Sequence, residues 1–150
     1  MNVKDLFQVA DKIESYGYSF YSDLSKHVSG KTVDLFQDLA KQEREHREKF
    51  KQIYSRYSGK KSGANTWEEQ EVSGYLKSLA NLSIFPSMEK EEVPSDYQAA
   101  LDMAIDSEKD SIILYNDIEY LVKEEEPIRA IIDEEKKHME TLLEEKERSQ

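Results

Sequence analysis

Two glutamates in this chain are each followed three residues later by a histidine: Glu43 with His46, and Glu135 with His138. On a helix that spacing sets carboxylate and imidazole on one face, about one turn apart. Two further glutamates, Glu14 and Glu108, lack the histidine but head matching patterns, Ala10-x3-Glu14-x2-Gly17-x3-Tyr21 and Ala104-x3-Glu108-x2-Ser111-x3-Tyr115. The halves of the chain therefore repeat, since Glu43-x2-His46-x3-Phe50 parallels Glu135-x2-His138-x3-Leu142 at nearly the same offset. Carboxylates and neutral imidazoles are the oxygen and nitrogen donors that hold divalent cations. Four carboxylates balance the charge of two such ions, so a buried set of these six residues becomes electroneutral when loaded. Without metal, the carboxylates repel and raise one another's pKa values.

The elements that must carry these residues are helices. Stepping by three and four gives the inward stripe of each. The first reads Phe7, Ala10, Glu14, Gly17, Tyr21, Leu24, Val28, and the second Phe36, Leu39, Glu43, His46, Phe50, Ile53, Tyr57. The third reads Tyr97, Leu101, Ala104, Glu108, Ser111, Tyr115, Ile118, Val122, and the fourth Ile128, Ile131, Glu135, His138, Leu142. Every stripe is apolar at its ends and has a glutamate at its centre, where burial of a lone charge is costly. The breakers Ser29-Gly30, Ser58-Gly59, Ser62-Gly63, Pro86, Pro94 and Pro127 place the helices near 3–28, 32–57, 95–122 and 127–147. Thr32 and Ser95 are the expected N-caps, and Pro127 suits a first helical turn. Short links make each pair of helices an antiparallel hairpin. The long stretch 58–94, with Trp67, Phe85 and a weaker helical run around Glu68–Leu82, is a crossover between them. The expected fold is all-α, one domain over 1–150: a four-helix bundle of two hairpins with a long crossover carrying a short helix.

The composition agrees. Charged residues are 35% of 150, Gly and Pro number only 5 and 3, and hydrophobic residues are 37%, which favours long amphipathic helices over short strands. Net charge of −11 argues against nucleic acid or an anionic membrane as partner. The absence of cysteine excludes disulfides, thiolate metal sites and a cysteine nucleophile. The start Met1-Asn2-Val3-Lys4-Asp5 leads straight into a charged amphipathic pattern and no run approaches a membrane span, so the expected location is cytoplasmic. Tyr21 and Tyr115 lie two turns beyond Glu14 and Glu108, placed to hydrogen-bond carboxylates or to serve as core aromatics. Gln42 and Glu134, immediately before Glu43 and Glu135, are placed to orient a histidine of the opposite hairpin. His27 suits a helix C-terminus, and Glu124-Glu125-Glu126 a solvated turn before Pro127. The competing view of the cluster is a polar layer of Glu and His⁺ holding no metal.

Taken together, these residues resemble the rubrerythrin-type di-iron carboxylate domain of the ferritin-like superfamily. The likeness covers all four helices and rests on Glu14-x2-Gly17-x2-Phe20-Tyr21, Leu39-Ala40-x2-Glu43-x2-His46-x3-Phe50, Ala104-Ile105-x2-Glu108-Lys109-Asp110-Ser111-x3-Tyr115 and Ile131-Ile132-x2-Glu135-x2-His138. The resemblance implies two iron ions per chain, with manganese as the alternative. Glu43 and Glu135 would bridge them, Glu14 and Glu108 would be terminal ligands, and His46 and His138 would bind one ion each. It also implies reduction of hydrogen peroxide or dioxygen at that centre. Two departures stand out. Rubrerythrins proper carry a cysteine-bound iron in a rubredoxin-like domain, so here a separate, rubredoxin-like donor is expected. They also have a further glutamate where this chain has Ser111, and the remaining six-ligand set looks equally like a ferroxidase site. The family analogy further implies a homodimer. Three functions follow: a peroxide- or dioxygen-reducing oxidoreductase, a ferroxidase or iron-handling protein, and a non-enzymatic helical interaction module.

Overall fold

A computed structural model of the protein describes residues 3–60, 93–123 and 125–150. Their elements are α1 (Val3–Ser25), α2 (Lys31–Lys60), α3 (Tyr97–Val122) and α4 (Glu125–Arg148). No strand occurs among the described residues, and none of their helices is long and apolar enough to cross a membrane. Trp67, Phe85 and the run Glu68–Leu82 lie outside the described residues, so the expected crossover helix does too.

The helix ends show where local chemistry overrides the simplest spacing. α1 stops at Ser25, ahead of the expected 28, and the chain reverses through Gly30 at φ +66°, a left-handed conformation that glycine adopts without strain. No neighbour crowds that position, so the backbone angle alone accounts for the glycine. Thr32 is not the N-cap: its hydroxyl donates to the Ser29 carbonyl at 2.6 Å, from within a helix that already begins at Lys31. Ser95 is not one either. Asp96 caps α3, its carboxylate accepting from the Ala99 N–H at 3.0 Å, and its charge suits the positive end of the helix better than a hydroxyl does. Ser58-Gly59 does not end α2, which runs on to Lys60, because a helix absorbs the roughly 1 kcal/mol cost of one glycine near its end. Lys123, left-handed at φ 57°, terminates α3 through its N–H to the Glu119 carbonyl. Pro127 falls within the first turn of α4, where its missing N–H costs nothing.

The two hairpins, α1–α2 and α3–α4, pack so that α1 faces α3 and α2 faces α4. Pairs such as Tyr21 with Glu108 and Tyr115 with Glu14 show α1 and α3 running antiparallel. Apolar side chains form two separate clusters. One, at the end holding Val3, Phe7, Phe50, Ile53, Ile118 and Ile128, is mainly aliphatic. The other, with Phe20, Phe36, Leu101 and Leu142, is richer in aromatics. The predicted stripes are buried apart from the end residues Val28, Tyr57 and Tyr97, which are half-exposed. The buried face is wider than one stripe, since Leu6, Ile13, Phe20, Ile105, Leu114 and Leu121 are interior as well. What separates the two clusters is the layer of glutamates and histidines.

Candidate metal centre

Glu14 on α1, Glu43 and His46 on α2, Glu108 on α3, and Glu135 and His138 on α4 are all buried and converge between the apolar clusters. Their donor atoms form two overlapping sets: Glu14, Glu43, His46 and Glu135 in one, and Glu43, Glu108, Glu135 and His138 in the other. Within each set the atoms lie within 4.8 Å of one another. Glu43 and Glu135 belong to both sets, whereas each remaining residue belongs to one. The histidine rings lie nearly parallel, 5.7 Å apart, at 20°.

Each histidine turns one nitrogen inward and the other toward the opposite hairpin. His46 Nδ1 is 2.7 Å from Glu135 Oε1 and 3.6 Å from Glu14 Oε1, while its Nε2 bonds Glu134. His138 Nδ1 sits 3.4 Å from Glu43 Oε1, 3.6 Å from Glu108 Oε1 and 3.7 Å from Glu135 Oε2, and its Nε2 donates to Gln42 Oε1 at 2.6 Å. Gln42 and Glu134 thus occupy the orienting positions expected of them. Spacing had not drawn attention to Asp38, which accepts from Gln42 Nε2 at 2.8 Å and so turns the amide oxygen to His138. The i, i+4 relation of Asp38 and Gln42 is the signal that could have found it. The tyrosines also cross between hairpins: Tyr21 Oη donates to Glu108 Oε1 at 2.6 Å, and Tyr115 Oη donates to Glu14 Oε1 at 2.5 Å. His27 is exposed just beyond α1 and belongs to neither donor set; its backbone N–H closes a turn on the Leu24 carbonyl.

The electrostatics are those of carboxylates forced together. Burial, joined by the charge of Glu135, pushes Glu14 and Glu43 well above the usual carboxyl range, and Glu108 up to about 8. Burial acts on Glu135 in the same sense, but hydrogen bonding from Glu108, His138 and His46 overrides it and holds Glu135 well below that range. For the histidines, burial disfavours the imidazolium, yet the surrounding carboxylates outweigh it, pushing His46 up to about 9 and His138 up to about 12. The metal-free layer therefore offsets its crowded carboxylates by holding protons.

Three observations show that the residues fit a metal site. Glu14 Oε2, Glu108 Oε2, Glu135 Oε2 and His138 Nδ1 are buried without a hydrogen-bond partner, although buried polar atoms are almost always satisfied. The donors are oxygen and imidazole nitrogen without sulfur, a set suited to iron or manganese. Gly17 makes room, since a Cβ there would come within 3.1 Å of the Glu43 carboxyl group. A narrow pocket between α1 and α3, lined by Tyr16, Gly17, Tyr21, Met103, Ala104 and Ser111 among others, reaches Glu43 and Glu108.

The Rubrerythrin family model matches residues 5–146, a span that contains all four helices' ligand positions. The chain belongs to the rubrerythrin family. A solved structure from Thermotoga maritima, described as a ferritin-like diiron-carboxylate protein, is 29% identical in sequence. It aligns over 100% of this chain and 97% of its own, with a TM-score of 0.72. No protein of curated function matches the chain. As a member of the rubrerythrin family the chain is a ferritin-like four-helix bundle, and its buried Glu/His layer offers a metal site. In this rubrerythrin-family chain the position expected of an additional glutamate holds Ser111, whose hydroxyl donates to the Ser107 carbonyl at 2.9 Å and adds no carboxylate to the layer.

Proposed function

We propose that the protein is a di-iron carboxylate oxidoreductase that reduces hydrogen peroxide or dioxygen. The observation that carries this reading is the pair of overlapping four-donor sets with buried, unpartnered carboxylate oxygens. Glu43 and Glu135, common to both sets, would help hold both ions, one with Glu14 and His46 and the other with Glu108 and His138. Two ferrous ions held there would supply two electrons together to an O–O bond of peroxide or dioxygen, avoiding one-electron release.

The remaining work belongs to the chain. Tyr21 and Tyr115 hold Glu108 and Glu14 in place through hydrogen bonds from their hydroxyls, and burial keeps both phenols protonated. Gln42 and Glu134 fix the outer nitrogens of the histidines, which leaves both Nδ1 atoms facing inward. The apolar clusters above and below exclude bulk water from the layer, and the narrow pocket beside Gly17 reaches it. The reading includes a separate, rubredoxin-like electron donor and a homodimer.

The test is metal analysis of protein purified without chelator, followed by anaerobic Fe(II) loading and rapid mixing with peroxide or dioxygen. Two ions per chain, oxidised by peroxide faster than free Fe(II) and lost in Glu43→Ala/His138→Ala, are expected. Oxidation no faster than that of free Fe(II) would end the peroxidase version. Ser111 favours one alternative, a ferroxidase, because it leaves a symmetric six-ligand layer. That alternative predicts continued dioxygen consumption with each fresh Fe(II) addition, and replacement of the bound iron.

A further inference from the structure

The two halves of the layer match almost residue for residue. Each donor set takes Glu43 and Glu135 in common and adds one glutamate and one histidine. Each added glutamate accepts a hydrogen bond from a buried tyrosine of the other hairpin. Each histidine presents Nδ1 to the carboxylates and Nε2 to an acceptor on the opposite hairpin. That acceptor is where the symmetry breaks: His46 bonds the carboxylate of Glu134, and His138 the neutral amide of Gln42.

The amide's orientation is settled by its own neighbour. Gln42 Nε2 donates to Asp38, so the oxygen is the atom offered to His138. On the other side Glu134 is only partly exposed, and the ammonium of Lys49 approaches its second oxygen at 3.7 Å, farther than the imidazole that bonds the first. A carboxylate acceptor makes the stronger hydrogen bond and pulls the Nε2 proton outward, which leaves Nδ1 a stronger electron-pair donor; an amide does so far less.

Resting on the di-metal reading above, we propose that the two ion positions are inequivalent, and that Glu134 makes the position of Glu14 and His46 the tighter one, filled first and emptied last. Glu134 is thereby a positioning and affinity-setting residue, and Gln42 its weaker counterpart.

The experiment is a titration of the metal-free protein with Mn(II), counting free ion by paramagnetic resonance. Two binding steps are expected, separated by about tenfold beyond the statistical ratio for equal sites. Glu134→Gln should weaken the first step by about tenfold and leave the second unchanged, with the helical circular dichroism intact. His138→Ala should retain one ion at the tight step, and His46→Ala only the weak one. Two ions with no separation beyond the statistical ratio, or a Glu134→Gln variant that weakens both steps alike, overturn the inference while leaving the di-metal reading in place. Absence of any saturable uptake overturns both.

Discussion

The apolar ends of the bundle and its polar middle layer are built by opposite rules. At the ends, side chains such as Phe36, Leu101, Ile118 and Ile128 are almost fully buried and ask nothing of one another beyond close packing. In the middle, Glu14, Glu43, Glu108 and Glu135 are buried just as deeply, yet their charges conflict and several of their oxygens lack partners. The ends hold the fold, and the middle gives up stability for a site. A useful corollary is that the middle layer is not uniform: Glu43 is driven toward its neutral form, while Glu135, bonded by both histidine neighbourhoods, is held as the anion.

The largest effect expected from breaking this contrast is on metal uptake. Glu43→Gln and Glu135→Gln each touch both donor sets, so either should abolish binding of two ions, whereas Glu14→Gln or Glu108→Gln should spare one; metal analysis after loading decides it. In the metal-free protein the first pair should diverge. Glu43→Gln removes a carboxyl that resists ionisation and should raise the melting temperature, while Glu135→Gln removes the counter-ion of the histidines and should lower it. If the two variants moved together, the division of charge within the layer would be wrong.

At the ends the signature reverses. Phe36→Ala should cost about 3–5 kcal/mol of stability by denaturant unfolding, with metal stoichiometry unchanged in whatever fraction remains folded.

The third contrast is with pH. His46 and Glu108 bind protons more tightly folded than unfolded, with values raised from 6.5 to about 9 and from 4.5 to about 8. Their contributions are full below the unfolded values and vanish as pH rises through the folded ones. Metal-free protein should therefore lose stability between about pH 4.5 and 9, first through Glu108 and then also through His46, followed by thermal melting, whereas metal-loaded protein, whose ligands are already deprotonated, should gain relative to it over the same range. Smallest is Gly17→Ala. The helix would favour alanine by about 1 kcal/mol, but the new Cβ lies 3.1 Å from the Glu43 carboxyl, so stability should change little while metal affinity falls a few-fold, read by the same Mn(II) titration.

Most of this contrast was legible in the chain itself, because a glutamate at the centre of an otherwise apolar stripe reports both the helix and its anomaly. Even the roles of Gln42 and Glu134 followed from their place one residue before a shared carboxylate. What periodicity did not carry was the pairing across hairpins. That Tyr21 serves Glu108 rather than Glu14, from the helix 87 residues away in sequence, depends on how two separate hairpins register against each other. The helix ends were similarly opaque: Asp96 rather than Ser95 caps α3, and α2 passes through Gly59, because competing caps one residue apart differ by little. The wider buried face, including Leu6 and Leu114, reflects α1 and α3 being covered on more than one side, which a single stripe does not reveal.

Five hydrogen bonds of the polar layer join one hairpin to the other: Tyr21 to Glu108, Tyr115 to Glu14, His46 to Glu134 and to Glu135, and His138 to Gln42. The local contacts of each hairpin can form early and quickly, since their partners are near in sequence. The layer itself forms only when the halves dock. An ion held by the layer would draw on Glu43 from one half and Glu135 from the other, and so would act as a rivet on that last event. It would leave the rate at which each hairpin forms unchanged and slow the rate at which the halves come apart.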